Sequence, residues 1–420
     1  MARLVLIGAG SIEFTSNLVR DLLCHAELAE STIVVHDIDR DRLRLAEAVA
    51  RHVAGRLDSP VTIEAALDRR AALDGADFAI STIRVGGHAA SERDFALPAR
   101  HGIRQTMADT CGAGAIAHAL RTIPAMLAIG RDMAELCPQA WLLNYTNPMA
   151  MLVWATYTGT PLRRVVGLCP SLRNTAAELA ALAGVPFSQV TWRGAGINHQ
   201  AWVLRLERDG EDLLPRVRAA IERDPEGLGR RARVEMFRRF GHFPSESSEH
   251  TVESVPYFLP HSGQIERFRV PVGEYLDRSR RTLDSVAETR RRLSAGEPLD
   301  LDDWPEDATA IIHSIVSGQP RTVHASVRNE GLITNLPEGC CVEVPCLVDR
   351  AGVQPTHIGP LPPQPAALNR AFVNVCELTV RAALEGRRDH VHHAAMLDPN
   401  TAATLTLEQI HALMDELVPA

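Results

Sequence analysis

Cys169 and His199 are the residues whose types and spacing most directly promise chemistry. They stand 30 positions apart, and each closes a short apolar run: residues 164–168 lead into Cys169-Pro170-Ser171, and residues 190–195 into Gly196-Ile197-Asn198-His199. If both runs are strands of one sheet, the thiolate and imidazole point into one cleft. Such a donor pair suits a borderline divalent metal, and two protein ligands leave coordination positions open for substrate oxygens. A buried thiol beside a hydrogen-bonded imidazole would leave the same pattern.

A second constellation opens the chain, MARLVLIGAGSIEFT. The apolar run 3–7 is stopped by Gly8-Ala9-Gly10, and a helix-compatible segment, 14–28, follows. Strand, glycine turn and helix start in that order frame a dinucleotide fingerprint, with Gly8 for the tight turn and Gly10 for backbone approach to a pyrophosphate. Glu13 occupies the third glycine position, so the motif alone is weak, with a ligand-free βαβ turn as the lesser alternative. A second apolar run, 32–36, ends in Asp37, 27 residues after Gly10. A carboxylate there accepts from ribose hydroxyls and repels a 2′-phosphate, which favours NAD.

Further polar residues gather where apolar runs end: Arg84 after 77–83, Asn144 and Asn147 around 141–144, and Asn198 beside His199. That edge is where open α/β sheets bind ligands. Asn144 and Asn147 could reach a nicotinamide ribose or a sugar hydroxyl, and a helix N-cap accounts for one of them without function. Asp109 opens a glycine-containing turn before a helix over 115–133, as cap or substrate contact. The stretch 245–257 (SESSEHTVESVPY) reads as a polar loop, either solvated or a lid over a polyhydroxylated substrate.

The elements that must position these groups alternate strand and helix to about residue 195, the pattern of a Rossmann-like, doubly wound parallel sheet. After 200 the pattern changes to a hairpin at 202–210, charged helices at 213–223 and 229–239, a helix over 271–294, strands at 323–327 and 341–348, and helices at 365–395 and 407–418. Asp302 to Asp307 read as a linker. An α/β domain over 1–198 and a C-terminal α+β domain over 199–420 follow, since 420 residues exceed one ordinary core. The net charge of −8, with dispersed basic residues, argues against nucleic acid. No signal segment and no uninterrupted apolar span of bilayer length is read, so no membrane partner and a cytoplasmic location are expected. The eight cysteines form no C-x-x-C and are expected to be mostly small buried hydrophobes.

Taken together, LVLIGAGSIEFT, HDIDRDRL, TIRVGG, RQTMADTCGAGAIAHALRTIP, NYTNPM, GLCPS, GINHQAW, SSEHTVESVPYF, NLPEGCCVEVPCLVD and HHAAMLDPNTAATLTLEQI resemble glycoside hydrolase family 4, its α-galactosidase and α-galacturonidase branch above all. The resemblance runs in order over nearly the whole chain. It implies a lactate/malate dehydrogenase-like fold, NAD and a divalent metal, typically Mn²⁺. It also implies glycoside cleavage by oxidation at C3, elimination, water addition and re-reduction, outside the two-carboxylate scheme. Matched by position, Cys169 and His199 become metal ligands. Gly8, Gly10, Ser11, Phe14, Asp37, Arg84 and Asn144 fall on the cofactor side, and Asn147, Asn198 and Arg93 on the substrate side. Asp109 matches an aspartate of the family's GDT turn. By analogy a homodimer or homotetramer is expected.

Three positions depart from the family pattern. Pro170 follows the metal cysteine where some branches carry an acid, Ser254 replaces the tyrosine taken as C2 base, and Ser91 replaces an arginine. His250, Tyr257, Glu253 or a metal-bound hydroxide are the substitutes for the missing proton carriers. The glycone is a galactoside or, if Arg84, Arg93, Arg238 and Arg239 face it, an anionic sugar such as a uronide or sulfosugar. The alternative is an NAD-dependent sugar or hydroxy-acid dehydrogenase on the same scaffold, and a non-catalytic sugar or NAD sensor is a third class.

Overall fold

The structure, a computed structural model, describes residues 1–300 and 305–419. Six parallel strands, β1 (Arg3–Ile7), β2 (Thr32–His36), β3 (Thr62–Ala66), β4 (Phe78–Ser81), β5 (Trp141–Asn144) and β6 (Val165–Gly167), line up as β3-β2-β1-β4-β5-β6. Their centre is apolar on both faces, as helices on either side require: Leu4, Val5, Ile33, Val35, Ala79, Ile80, Leu142 and Leu143 are all fully buried. Strand order reverses between β1 and β4, and the Gly8–Ser11 turn sits at that switch point. The doubly wound α/β expectation holds. Strand β3 was not foreseen; at the sheet edge, TIEAA buries only Ile63.

Strands β7 (Thr191–Ala195), β8 (Trp202–Arg208), β9 (Glu211–Asp212) and β10 (Phe243–Pro244) form a separate antiparallel sheet. Its own core packs Leu172, Leu179, Val203, Leu206, Val217, Phe237 and Phe243. This corrects the expectation that residues 190–195 continue the parallel sheet. Strands β11 (Arg321–Arg328), β12 (Cys341–Asp349) and β13 (Gly352–Pro355) instead extend the first sheet in antiparallel fashion beyond β6. The two sheets meet at one bridge, where Gly196 N–H donates to Glu343 O (3.0 Å) and Glu343 N–H to Gly196 O (2.8 Å).

Helix Gly112–Leu136 is the central prop. Fifteen of its residues are buried, and it packs on helices Met149–Gly159 and Pro363–Glu385. Among the described residues it alone is long and apolar enough to cross a membrane, and 72% of its most apolar window is buried inside the protein. The foreseen helix over 14–28 splits into Ile12–Leu23 and a 3-10 turn, Ala26–Leu28. The expected 302–307 linker lies partly outside the described residues (302–304), while Glu306 and Asp307 are buried where helix Asp307–Ser317 begins.

A Cβ on Gly196 would lie 2.6 Å from Ala201 Cα and 2.9 Å from Gln200 O, contacts that backbone cannot relieve. Gly196→Ala is therefore expected to cost about 2 kcal/mol or more and to separate His199 from Cys169. Urea unfolding, with Cys169 alkylation as a local probe, checks both effects.

Candidate active site

The site forms where the β6 end, the β7 end and two loops converge. Cys169 follows β6 immediately before helix Ser171–Leu182, and Pro170 takes the N-cap position. His199 follows β7 with φ 62°, a left-handed backbone that non-glycine residues rarely adopt. Its turn is held from behind, since Gln200 N–H donates to Ile197 O and buried Asn369 donates to Gln200 O (2.7 Å). His199 Nε2 comes to lie 3.3 Å from Cys169 Sγ, so the pair does meet, across two sheets rather than within one.

The other face of the imidazole is fixed by a relay. Thr110 Oγ1 donates to Asp109 Oδ1 at 2.9 Å and lies 2.6 Å from His199 Nδ1. A hydroxyl that gives its proton to a carboxylate must accept, so Nδ1 carries the hydrogen and Nε2 keeps its lone pair. Burial, reinforced by His250, pulls the His199 pKa down to about 4, so the ring is neutral. Asp109 feels the opposite balance: burial raises it, but His250, His199 and Arg84 together hold it below its ordinary value. His250 tilts against His199, ring centroids 4.1 Å apart, with Nδ1 3.6 Å from Asp109 Oδ1.

Burial, and then Glu246 and Glu343, keep the Cys169 thiol protonated far above its usual range. A thiol and carboxylates pressed around a neutral imidazole form a donor set that a divalent cation would complete. Asn198 adds to the fit. It is 1% exposed, and neither its Oδ1 nor its Nδ2 has a hydrogen-bond partner among the described residues. Asn147 Nδ2 donates to Asp109 Oδ2 (3.3 Å), and its Oδ1 is likewise unpartnered. Asn147 does not cap the helix after it, whose N-cap is Pro148.

The dinucleotide turn is built differently from its expectation. Gly8, at φ 85°, brings the turn against Ile83, where a Cβ would lie 3.0 Å from backbone. Gly10 N–H donates to Asp37 Oδ2 (2.8 Å) instead of being free for a phosphate, and a Cβ there would strike that oxygen at 2.5 Å. Gly10 is required because the carboxylate leans on the turn. Ser11 is the N-cap of the first helix without a side-chain bond, and Phe14, 39% exposed, faces Tyr145 with centroids 5.6 Å apart. Both remain open to a ligand. Asn144 does not: its amide exchanges two bonds with the Thr146 backbone. Arg84 lies near Asp109, stacked 4.3 Å over the Tyr275 ring and donating to Ser91 Oγ.

Two expected site residues lie elsewhere. Tyr257 is 46% exposed and rests against Phe240, turned out where the chain leaves the short helix Ser248–Glu253. Arg93 donates to the carbonyls of Glu416 and Leu417, tying down the C-terminal helix. Nor is 245–257 a lid. His250, Thr251 and Glu253 are buried, and Glu253 Oε1 accepts from the amides of Thr106, Met107 and Ala108 at 2.7–3.0 Å. The Glu253 carboxylate therefore holds the turn that presents Asp109. Ser254 Oγ donates to Thr251 O and is engaged there.

Thr110, Glu246, Tyr275 and Asp398 were missed, and Glu253, considered as a proton carrier, instead braces the turn. Asp398 accepts from Gly112 N–H (3.1 Å) and caps helix Pro399–Thr404. Tyr275 enters because Gly273 and Tyr275 N–H donate to Gln105 O and Thr106 O. The GEY that begins its helix was the one available signal, a tyrosine after a glycine break.

Thr110→Val removes the acceptor that fixes the His199 tautomer. It should lower divalent-cation affinity roughly 10- to 100-fold with little change in fold, as measured by titrating Mn²⁺ into metal-free protein. Buried carboxylates set a pH trend as well. Burial raises Glu343 to about 8 and Glu306 to about 7, and it raises Asp307 to about 6. Their folded pKa values exceed the unfolded ones, so the native state binds more protons and stability falls as pH climbs from about 5 to 8. In metal-free protein Glu343→Gln should flatten that fall by on the order of 3 kcal/mol, which denaturant melts at pH 5 and 8 would detect.

Comparison with known proteins agrees with this geometry. Residues 3–185 match family 4 glycosyl hydrolases, and residues 194–401 match the family 4 glycosyl hydrolase C-terminal domain. An α-galactosidase of Bacillus subtilis is 38% identical over 424 residues, covering 100% of this chain and 98% of that protein. An α-galactosidase of Rhizobium meliloti is 32% identical over 431 residues, covering 100% and 88%. Among solved structures, a 6-phospho-α-glucosidase from gut microorganisms, in complex with NAD and Mn²⁺, superposes with a TM-score of 0.82 at 20% identity. That superposition covers 100% of this chain and 98% of the other. The glycine turn, the Cys169–His199 pair and both halves of the sequence thus converge: the chain belongs to glycoside hydrolase family 4.

Proposed function

We propose that this glycoside hydrolase acts on α-galactosides, with NAD⁺ and a divalent cation such as Mn²⁺ as its cofactors. The observation that carries the reading is the Asp109–Thr110–His199 relay, which leaves Nε2 as a lone-pair donor beside Cys169 Sγ. The full-length identity to α-galactosidases supports the glycone. When bound, the two cofactors supply reversible oxidation at the sugar C3 and polarisation of the ketone that results.

The protein's own groups do the rest. Asp37 takes the adenosine ribose at the end of β2. Asn147 Oδ1 and both polar side-chain atoms of Asn198 orient sugar hydroxyls, since these atoms lack partners and are too buried for solvent to fill them. Proton transfer falls to His250, whose Nδ1 faces Asp109, because Pro170 has no proton and the Ser254 hydroxyl is bonded to Thr251 O. A neutral glycone is favoured over an anionic one. Arg93 is tied to the C-terminal helix, Arg238 donates to Gly229 O and Arg239 to Glu235. Arg84 alone of the four arginines considered lies near Asp109.

With Mn²⁺ and NAD⁺ in D₂O, p-nitrophenyl α-galactoside should release nitrophenol, with one deuterium gained at C2 and no net NADH. The uronide should react at least about tenfold more slowly, since one arginine without a second cation gives weak carboxylate recognition. Net NADH without nitrophenol would instead mark a sugar dehydrogenase, the reading that the loss of acid and base at 170 and 254 favours. Rates on the uronide equal to those on the galactoside would overturn the neutral glycone.

A further inference from the structure

We infer that Glu246 is a third protein ligand of the divalent cation, beside Cys169 and His199. This rests on the metal reading of that pair and goes beyond it by adding an oxygen donor from the second sheet's loop. Ligand atoms of Cys169, His199 and Glu246 all lie within 4.8 Å of one another, and Glu246 Oε2 is 3.9 Å from His199 Nε2, on the imidazole edge away from Thr110.

The carboxylate is held in place by its surroundings. Glu246 has φ 71°, the left-handed backbone that a glutamate adopts only when its surroundings impose it. Its N–H donates to Thr175 Oγ1 (3.1 Å), and its carbonyl accepts from buried Arg233 Nη1 (2.8 Å). Arg233 is itself held by Glu178. These contacts clamp the backbone on both sides and aim the side chain inward. His199 is in the same unusual conformation at φ 62°, so two of the three donors are delivered by strained backbone.

The charges agree with a ligand role. A thiolate, a carboxylate and a neutral imidazole carry two negative charges together, which neutralise a divalent cation. Sulfur and nitrogen alone favour softer ions, and an oxygen donor shifts the set toward harder ions such as manganese. Three protein donors leave further coordination positions for substrate oxygens.

Titration of metal-free protein with Co²⁺ tests the assignment, because cobalt reports its own coordination. Wild type should show a thiolate-to-cobalt charge-transfer band, and Cys169→Ser should lose it; no band in wild type would overturn the parent metal reading. Glu246→Gln should keep the band, bind Co²⁺ about tenfold or more weakly, and shift the visible d–d bands as an oxygen is lost. Glu246→Asp, one methylene short, should fall between the two and covers the case in which the glutamine variant folds poorly. Unchanged affinity and unchanged d–d bands in both variants would overturn Glu246 as a ligand, whatever happens to activity.

Discussion

The contact between Thr110 and His199 Nδ1 governs the rest of the centre. It fixes which imidazole nitrogen is free, and it joins three segments remote in sequence. Thr110 belongs to the turn before the long central helix, His199 to the turn after β7, and Cys169 to the end of β6. Each segment is braced separately, by Glu253 and Asp398 for the first, Asn369 for the second and the bridge to Glu343 for their common floor. A relay of short polar side chains is only as good as its backbone, and buried hydrogen bonds supply that rigidity here.

Much of the first sheet was legible because its strands are buried on both faces. Runs such as LVLI and TIVVH admit one reading, and the turn residues after them mark their ends. The pairing of β7 was not legible. TWRGA is half exposed and short, and nothing local tells a strand whether its neighbour comes from 165–167 or 202–208. The same blindness hid β11 to β13 as extensions of the first sheet, since sheet membership is decided by packing between distant segments.

At the site the sequence exposed donors and concealed supports. Cys169, His199, Asp109 and Asn198 were recognisable by type and position, and the structure brings the first three into one cluster. Glu253 was read as a possible proton carrier in a polar loop, yet it is buried beneath three backbone amides. Glu246 was concealed by the same local polarity. Composition averages over a loop, whereas burial is assigned residue by residue. Tyr257 and Arg93 misled for the converse reason: residue types suited to chemistry, near the right motif, face outward or toward another helix.

Cys169 follows a strand of the first sheet, and His199 follows a strand of the second. The dinucleotide turn, by contrast, is complete within the first sheet, because Gly8 and Gly10 follow β1 while Asp37 follows its parallel neighbour β2. The two halves of the centre therefore make different demands: the glycine turn needs one sheet alone, whereas the thiol and imidazole meet only where the two sheets are joined at the Gly196–Glu343 bridge.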